Sequence, residues 1–189
     1  LQFGAPALAA TDKDYYPATV MNYILGGGGF ASRLTQELRE GKGYTYGVSS
    51  RFSGSKDKGV FIISSGVRSN VTLESSLLVK KILTDYPNTF SEKDLQTSKS
   101  FLIKSNARAF ETANAKLRML STISNFDWKA DYIKEREQIV EDMTISSIKE
   151  LANKYVNPNK MIWLVVGDAD TQLERMKKLG FGDPILLNK

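Results

Sequence analysis

Two side chains suited to fixed hydrogen-bond chemistry stand seven residues apart, a guanidinium at Arg39 and a phenol at Tyr46. A guanidinium stays charged and offers several donors in a rigid fork, and a phenol adds one directed donor. The intervening residues decide whether the two could converge. Ser32 is placed to N-cap a short helix carrying Leu34 and Leu38 on one face, and Gly41 and Gly43 end that helix just after Arg39. From Tyr44 the pattern alternates, with Tyr44, Tyr46 and Val48 on one face and Thr45, Gly47 and Ser49 on the other, so Tyr46 falls on a strand. Read from the residues alone, the plainer account is a structural one. Arg39 then pairs with Glu37 or Glu40 on a solvated helix end, and Tyr46 packs within the sheet.

The composition removes most other chemistries. The 189 residues include neither histidine nor cysteine. That excludes Ser-His-Asp and Cys-His machinery, disulfides and thiolate metal sites. A catalytic zinc ion normally needs imidazole ligands, so any zinc chemistry must come from another polypeptide or from residues outside this sequence. The carboxylate pairs Glu135 with Glu137 and Glu141 with Asp142 therefore read as surface charge. The net charge of +5 is spread along the chain without a dense basic block, which does not imply nucleic acid. Lys80, Lys81, Lys104 and Arg108 read as solvated helix faces. No apolar run is long enough to span a membrane, and nothing in the sequence distinguishes one cellular compartment from another.

Gly26, Gly27, Gly28 and Gly29 precede the Arg39 helix. A phosphate-binding loop would need Lys-Ser or Lys-Thr after its glycines, whereas Phe30-Ala31-Ser32-Arg33 follows here, and a helix rather than a strand comes before. The run reads as a tight bend in which glycine permits positive φ or a close meeting of two backbones.

The elements around this segment follow from periodicity. Leu1 to Ala10 reads as a first strand, with Pro6 arguing for an edge or a bend. Pro17 fits the first turn of a helix bearing Tyr16, Val20, Tyr23 and Ile24. Tyr44 to Phe52 and Val60 to Val67 form a hairpin. Thr72 to Tyr86 is a helix stopped before Pro87. Ser91 with Asp94 is a capping box opening a long helical region to about Asp127, with a break near Asn106 to Asn114. Helices follow at Tyr132 to Val140 and Thr144 to Val156, the latter with Ile148, Leu151, Ala152 and Tyr155 inward. Met161 to Val166 is an apolar run expected as a central buried strand. A helix at Asp170 to Leu179 and a strand at Ile185 to Leu187 close the pass. Strands first, helices in the middle and a late strand predict an α+β fold, an antiparallel sheet with helices packed on one face. Residues 1–189 read as one domain, a piece of a longer chain.

The segment Leu25-Gly26-Gly27, Ser32-Arg33-Leu34, Leu38-Arg39-Glu40 and Gly43-x-x-Tyr46 resembles the signature of the pitrilysin/insulinase/mitochondrial-processing-peptidase family of zinc metallopeptidases. More narrowly, it is similar to the half that does not hold the metal. The resemblance implies a metallopeptidase-half sandwich, and it implies that Arg39 and Tyr46 face a zinc ion held by a partner half, on the same or a separate chain. There they would donate hydrogen bonds to the substrate peptide's carbonyl and to the oxyanion forming at the scissile bond. Gly26 to Gly29 would be a mainly structural loop with some influence on substrate access. The edge of the first strand, Phe3 to Leu8, is a further place where an extended peptide could add, the alternative being an edge covered by neighbouring structure. This chain alone is expected neither to hold zinc nor to cleave peptide. The alternative is a catalytically inactive scaffold or interaction subunit of the same fold.

Overall fold

The computed structural model of the chain describes residues 1–106 and 111–187. Four strands, β1 (Gln2–Ala7), β2 (Thr45–Ser53), β3 (Gly59–Val67) and β4 (Ile162–Leu164), form one antiparallel sheet in the order β2-β3-β1-β4. Seven α-helices accompany it among the described residues: α1 (Tyr15–Asn22), α2 (Thr72–Thr89), α3 (Glu92–Asn106), α4 (Ala113–Phe126), α5 (Tyr132–Asp142), α6 (Ile145–Tyr155) and α7 (Ala169–Met176).

Strand periodicity puts the apolar half of the sheet on one side. Phe3, Val48, Phe52, Phe61 and Ile63 are buried there, against Val20, Ile24, Leu25, Leu83 and Ile148 from the helices. The register aligns Phe52 with Phe61 across β2 and β3, ring centroids 4.8 Å apart, and Phe3 with Trp163 across β1 and β4, 4.2 Å apart. The alternate residues Ser49, Arg51, Ser53 and Val60 are exposed on the opposite face. This is the expected α+β arrangement, helices covering one face of an antiparallel sheet.

The helix boundaries follow their caps. Asp94 Oδ2 accepts the Ser91 N–H at 2.9 Å and Ser91 Oγ faces the Asp94 N–H at 3.3 Å, opening α3 as the spacing predicts. Thr144 and Ser147 make the equivalent reciprocal pair at the start of α6, whose Ile148, Leu151 and Ala152 are buried. The break foreseen near Asn106 to Asn114 falls partly on residues 107–110, outside the described residues, as does Arg108.

Several expectations need correction. Helix α2 runs through Pro87 to Thr89, giving up the one bond that an N–H at Pro87 would make to the Leu83 carbonyl, and the Phe90 N–H still reaches the Tyr86 carbonyl at 3.2 Å. Met161 to Val166 is not a central strand. Only Ile162–Leu164 pairs, on the outer side of β1, leaving Ile162 and Val166 71% and 82% exposed. Strand β1 is accordingly flanked on both sides over Gln2–Gly4, so the Phe3 to Leu8 edge is already occupied there, and Pro6 sits just past the end of β4. Ile185 to Leu187 forms no strand. Lys80 is also more than a solvated charge, since its ammonium donates to the Leu179 carbonyl at 2.6 Å and lies over the Phe181 ring, tying α2 to the turn after α7.

One close contact fixes how α1 meets the sheet. The last buried residue of α1, Asn22, donates from Nδ2 to the Ser50 carbonyl at 2.8 Å and accepts from the Ser50 hydroxyl. Just beyond it, a Cβ on Gly26 would come within 2.2 Å of Ser50 Oγ and 2.8 Å of the Ser50 nitrogen. Only a residue without a side chain lets the two backbones approach this far. Gly26→Ala should therefore destabilise the chain by about 1–3 kcal/mol through overpacking, read from urea unfolding. Unchanged stability would mean that β2 yields easily at Ser50.

Candidate functional site

The bend that carries Arg39 and Tyr46 is built by inserted residues at three places. After α1 the chain widens into a π-helical turn, Tyr23–Gly27, in which the Gly28 N–H reaches back to the Tyr23 carbonyl at 2.7 Å. A 3₁₀ turn, Gly29–Ala31, follows, and Gly29 sits at φ +56°, in the left-handed region. Thus both uses foreseen for the glycine run occur, at different residues: close approach at Gly26 and positive φ at Gly29. Ser32 is extended and its hydroxyl faces the Thr35 N–H at 3.4 Å, the expected capping position. The next segment, Thr35–Gly41, is π-helical, with the Lys42 N–H bonded to the Glu37 carbonyl at 3.1 Å. Leu34 and Leu38 are fully buried beneath it.

Arg39 lies in the last turn of that segment. Its guanidinium stands 4.8 Å from the centroid of the Phe30 ring, and its Nε lies 3.3 Å from Glu40 Oε1. The Arg39 side chain is 41% exposed, and its guanidinium has no other hydrogen bond or ion pair among the described residues. Gly43, at φ +59°, donates to the Arg39 carbonyl at 3.0 Å and turns the chain into β2.

Tyr46 departs from the expected alternation. A β-bulge between Thr45 and Val48 inserts an extra residue opposite β3, so Thr45 and Val48 are both buried while Tyr46 is 97% exposed. Tyr46 and Val48 therefore do not share a face, and the tyrosine does not pack within the sheet. A bulge of this kind re-aims a side chain at a local loss of pairing. Here side chains restore the lost partners. Thr45 Oγ1 accepts the Gly47 N–H at 3.0 Å and lies 2.6 Å from the Gly66 carbonyl, and the Ser65 hydroxyl donates to Thr45 Oγ1 at 3.0 Å. A shallow groove of about 470 Å³ passes the bulge between Gln2, Gly47, Ser64 and Gly66.

Both candidate residues thus lie outside the core, within one continuous bend. No hydrogen bond joins them, and the Tyr46 hydroxyl has no partner among the described residues. The expected pairing of Arg39 with Glu40 is present, whereas the packing role for Tyr46 is absent. Two contributors had no sequence signal, Phe30 under the guanidinium and Thr45 at the bulge.

A third was visible only as part of a motif. Arg33 donates to the Thr89 carbonyl at 2.6 Å and to Asp94 Oδ2 at 2.8 Å, and its guanidinium lies over the Tyr86 ring. It therefore clamps the bend to the end of α2 and the start of α3. Burial alone would raise the Asp94 carboxyl, but the Ser91 donors and Arg33 outweigh it and hold it below the ordinary carboxylate range.

Zinc does not fit this donor set. Histidine and cysteine are absent from the sequence, and among the described residues no group of three or more acidic side chains is placed to hold a metal ion.

Residues 1–102 match the peptidase M16 inactive domain family. The chain belongs to that family. It is 30% identical over 118 residues to a Bacillus subtilis protein named as the uncharacterized zinc protease YmxG, covering 62% of this chain and 29% of that one. It is 25% identical over 171 residues to a Helicobacter pylori protein named as a non-peptidase homolog, covering 88% and 39%. The crystal structure of a peptidase M16 inactive domain from Pseudomonas fluorescens superposes with a TM-score of 0.74 at 28% identity, covering 85% of this chain and 39% of that one. The chain spans from 14% to 39% of the length of the curated relatives it matches. It is therefore an inactive domain of zinc-protease-like proteins, and the fold expected from the metal-free half is the one observed.

Two stability outcomes follow from these contacts. Thr45→Val removes an acceptor from the Gly47 N–H and a partner from Ser65, and should lower stability by about 1–3 kcal/mol in chemical unfolding. Because the folded Asp94 carboxyl titrates below its unfolded value, its contribution is complete above about pH 4 and is lost as pH falls through the folded value. Asp94→Asn should therefore lower the melting temperature at pH 7 and weaken its dependence on pH in the acid range. Parallel acid profiles for the two proteins would show that Asp94 is not responsible.

Proposed function

We propose that this domain supplies hydrogen-bond donors and a chamber wall to peptide-bond hydrolysis carried out with a zinc-binding half, on the same or a separate chain. Arg39 and Tyr46 are the donors. The observation that carries this reading is Tyr46 itself, a large side chain 97% exposed because a hydrogen-bonded bulge turns it outward. An exposed aromatic maintained by such a device is better explained by contact with a ligand than by packing. Arg39 supports the same reading, with most of its fork free beside Phe30.

The chemistry assigned to this chain is limited to its own residues. A guanidinium and a phenol held in place can donate to a peptide carbonyl and strengthen those bonds as negative charge develops on its oxygen. The groove beside Gly47 and Gly66 gives an extended peptide backbone room to lie near Tyr46. The glycine bend acts through Phe30, which supports the Arg39 guanidinium and whose carbonyl accepts from Gln36 Nε2 at 2.6 Å. Zinc belongs to the partner half in this reading, and this domain alone is inactive.

A second reading is a catalytically inactive scaffold of the same fold. The Helicobacter pylori relative named as a non-peptidase homolog favours it.

The two readings separate in the full-length protein assembled with its zinc-binding half. Arg39→Ala and Tyr46→Phe should each lower peptide turnover by ~10²-fold or more while leaving the melting temperature within a degree or two of wild type. Wild-type turnover in both variants would discard the assignment. An assembled, zinc-loaded wild-type protein that cleaves no peptide in a broad substrate panel would favour the scaffold.

A further inference from the structure

A second cavity, of about 340 Å³, lies at the other end of β2. Phe52 and Gly54 line it, six or more residues beyond Tyr46 along the strand, a span of ~20 Å. Its other walls come from Tyr16 on α1, Thr122 and Phe126 on α4, and Trp128, Tyr132 and Arg136 around the start of α5. Arg136 is the one charged residue among the lining residues.

The guanidinium of the half-buried Arg136 lies over three rings, with centroids at 4.6 Å for Tyr16, 4.4 Å for Trp128 and 4.8 Å for Tyr132. The rings stabilise the cation through their negative faces but accept no N–H bond in its plane. Arg33, Arg39 and Arg175 each hold a carboxylate, whereas Arg136 has neither a carboxylate within 4.0 Å nor a hydrogen-bond acceptor among the described residues. The nearby Glu137 is engaged by Asn106 Nδ2 at 3.2 Å. Burial lowers the guanidinium's pKa from its ordinary value, the expected response of a desolvated cation without a counter-charge.

The shape and chemistry of the cavity define its complement. Aromatic walls favour a planar apolar body, and an unpaired planar fork favours a carboxylate, which can accept two parallel N–H bonds. A cationic ligand would meet Arg136, and a bare, strongly hydrated dianion would lose water against apolar walls without enough donors to replace it. We infer that this cavity is a binding site for a carboxylate carried on an aromatic group, with Arg136 as the anchoring residue. The source is a free aryl carboxylic acid or the C-terminal carboxyl of a peptide ending in an aromatic residue. The site is independent of Arg39 and Tyr46.

Isothermal titration into the purified chain tests this, with 2-naphthoate as the free acid and N-acetyl-alanyl-phenylalanine as the peptide. The C-terminal amide of the same peptide is the control. Trp128, one of two tryptophans, provides a fluorescence readout. Saturable one-to-one binding is expected with Kd below about 1 mM for at least one acid. Arg136→Gln should weaken it by ~10-fold or more, Arg136→Lys should retain part of it, and the amide should not bind. Thr122→Phe, which fills the cavity while leaving Arg136 in place, should abolish it. A preference for 2-naphthoate or for the peptide identifies the source. The inference is overturned if neither acid saturates below about 10 mM, if the amide binds as well as the acid, or if Thr122→Phe leaves affinity unchanged.

Discussion

The contact between Gly26 and Ser50 is the constraint on which the bend depends. A helix end and a strand meet there with no side chain between them, and Asn22 holds Ser50 by its backbone carbonyl and its hydroxyl. Every buried polar group in that junction has a partner, so the junction specifies one geometry and not a range of them. The residues that follow inherit it. Leu34 and Leu38 fill the space under the bend, Thr35 Oγ1 lies 3.4 Å from the Val48 carbonyl, and Arg39 emerges at a position set relative to β2. Arg33 then ties the far side of the bend to α2 and α3 through Thr89 and Asp94. The bend is thus anchored at both ends, although the Gly27, Gly29 and Phe30 surface between them faces solvent.

Inserted residues give that rigid frame its directional character. The π-helical segments Tyr23–Gly27 and Thr35–Gly41 each widen a turn by one residue, and the Thr45/Val48 bulge adds another to β2. Such insertions weaken regular pairing and persist where the surrounding contacts hold them, often at functional positions. In this domain all three fall within the 26 residues from Tyr23 to Val48. The polar knot of Thr45, Ser65 and Gly47 explains how the bulge survives on an otherwise regular hairpin.

Periodicity made the fold class legible, because most elements bury one face, and a polar pair marked the start of one helix. Ser91 with Asp94 is that pair, whereas the Thr144 and Ser147 pair emerges only from the structure. The failures share a physical origin. Met161 to Val166 reads as central because it is wholly apolar, yet pairing on one side only leaves Ile162 exposed, and edge position is a property of the whole sheet. Pro87 reads as a stop, but the helix runs two residues past it at the loss of one backbone hydrogen bond. Alternation from Tyr44 to Val48 hides a bulge whose cause, Ser65, lies on another strand. The role proposed for Arg39 and Tyr46 rests on the motif they share with a peptidase family, since nothing about a lone arginine or tyrosine distinguishes ligand contact from surface.

Arginine partners separate the structural roles in this chain from the others. Where a guanidinium holds the fold together, its N–H groups are spent on protein acceptors, as at Arg33 with Thr89 and Asp94 and at Arg175 with Glu74. Arg39 keeps only a neighbouring glutamate on its own helix end, an exposed pair of small energetic value. Arg136 has none among the described residues, and three rings lie against it there. A buried or half-buried fork without acceptors carries a desolvation penalty that an ion pair would offset. Only Arg136 bears that penalty here, because Arg39 is exposed and has a local carboxylate, whereas Arg136 is half-buried with no acceptor among the described residues.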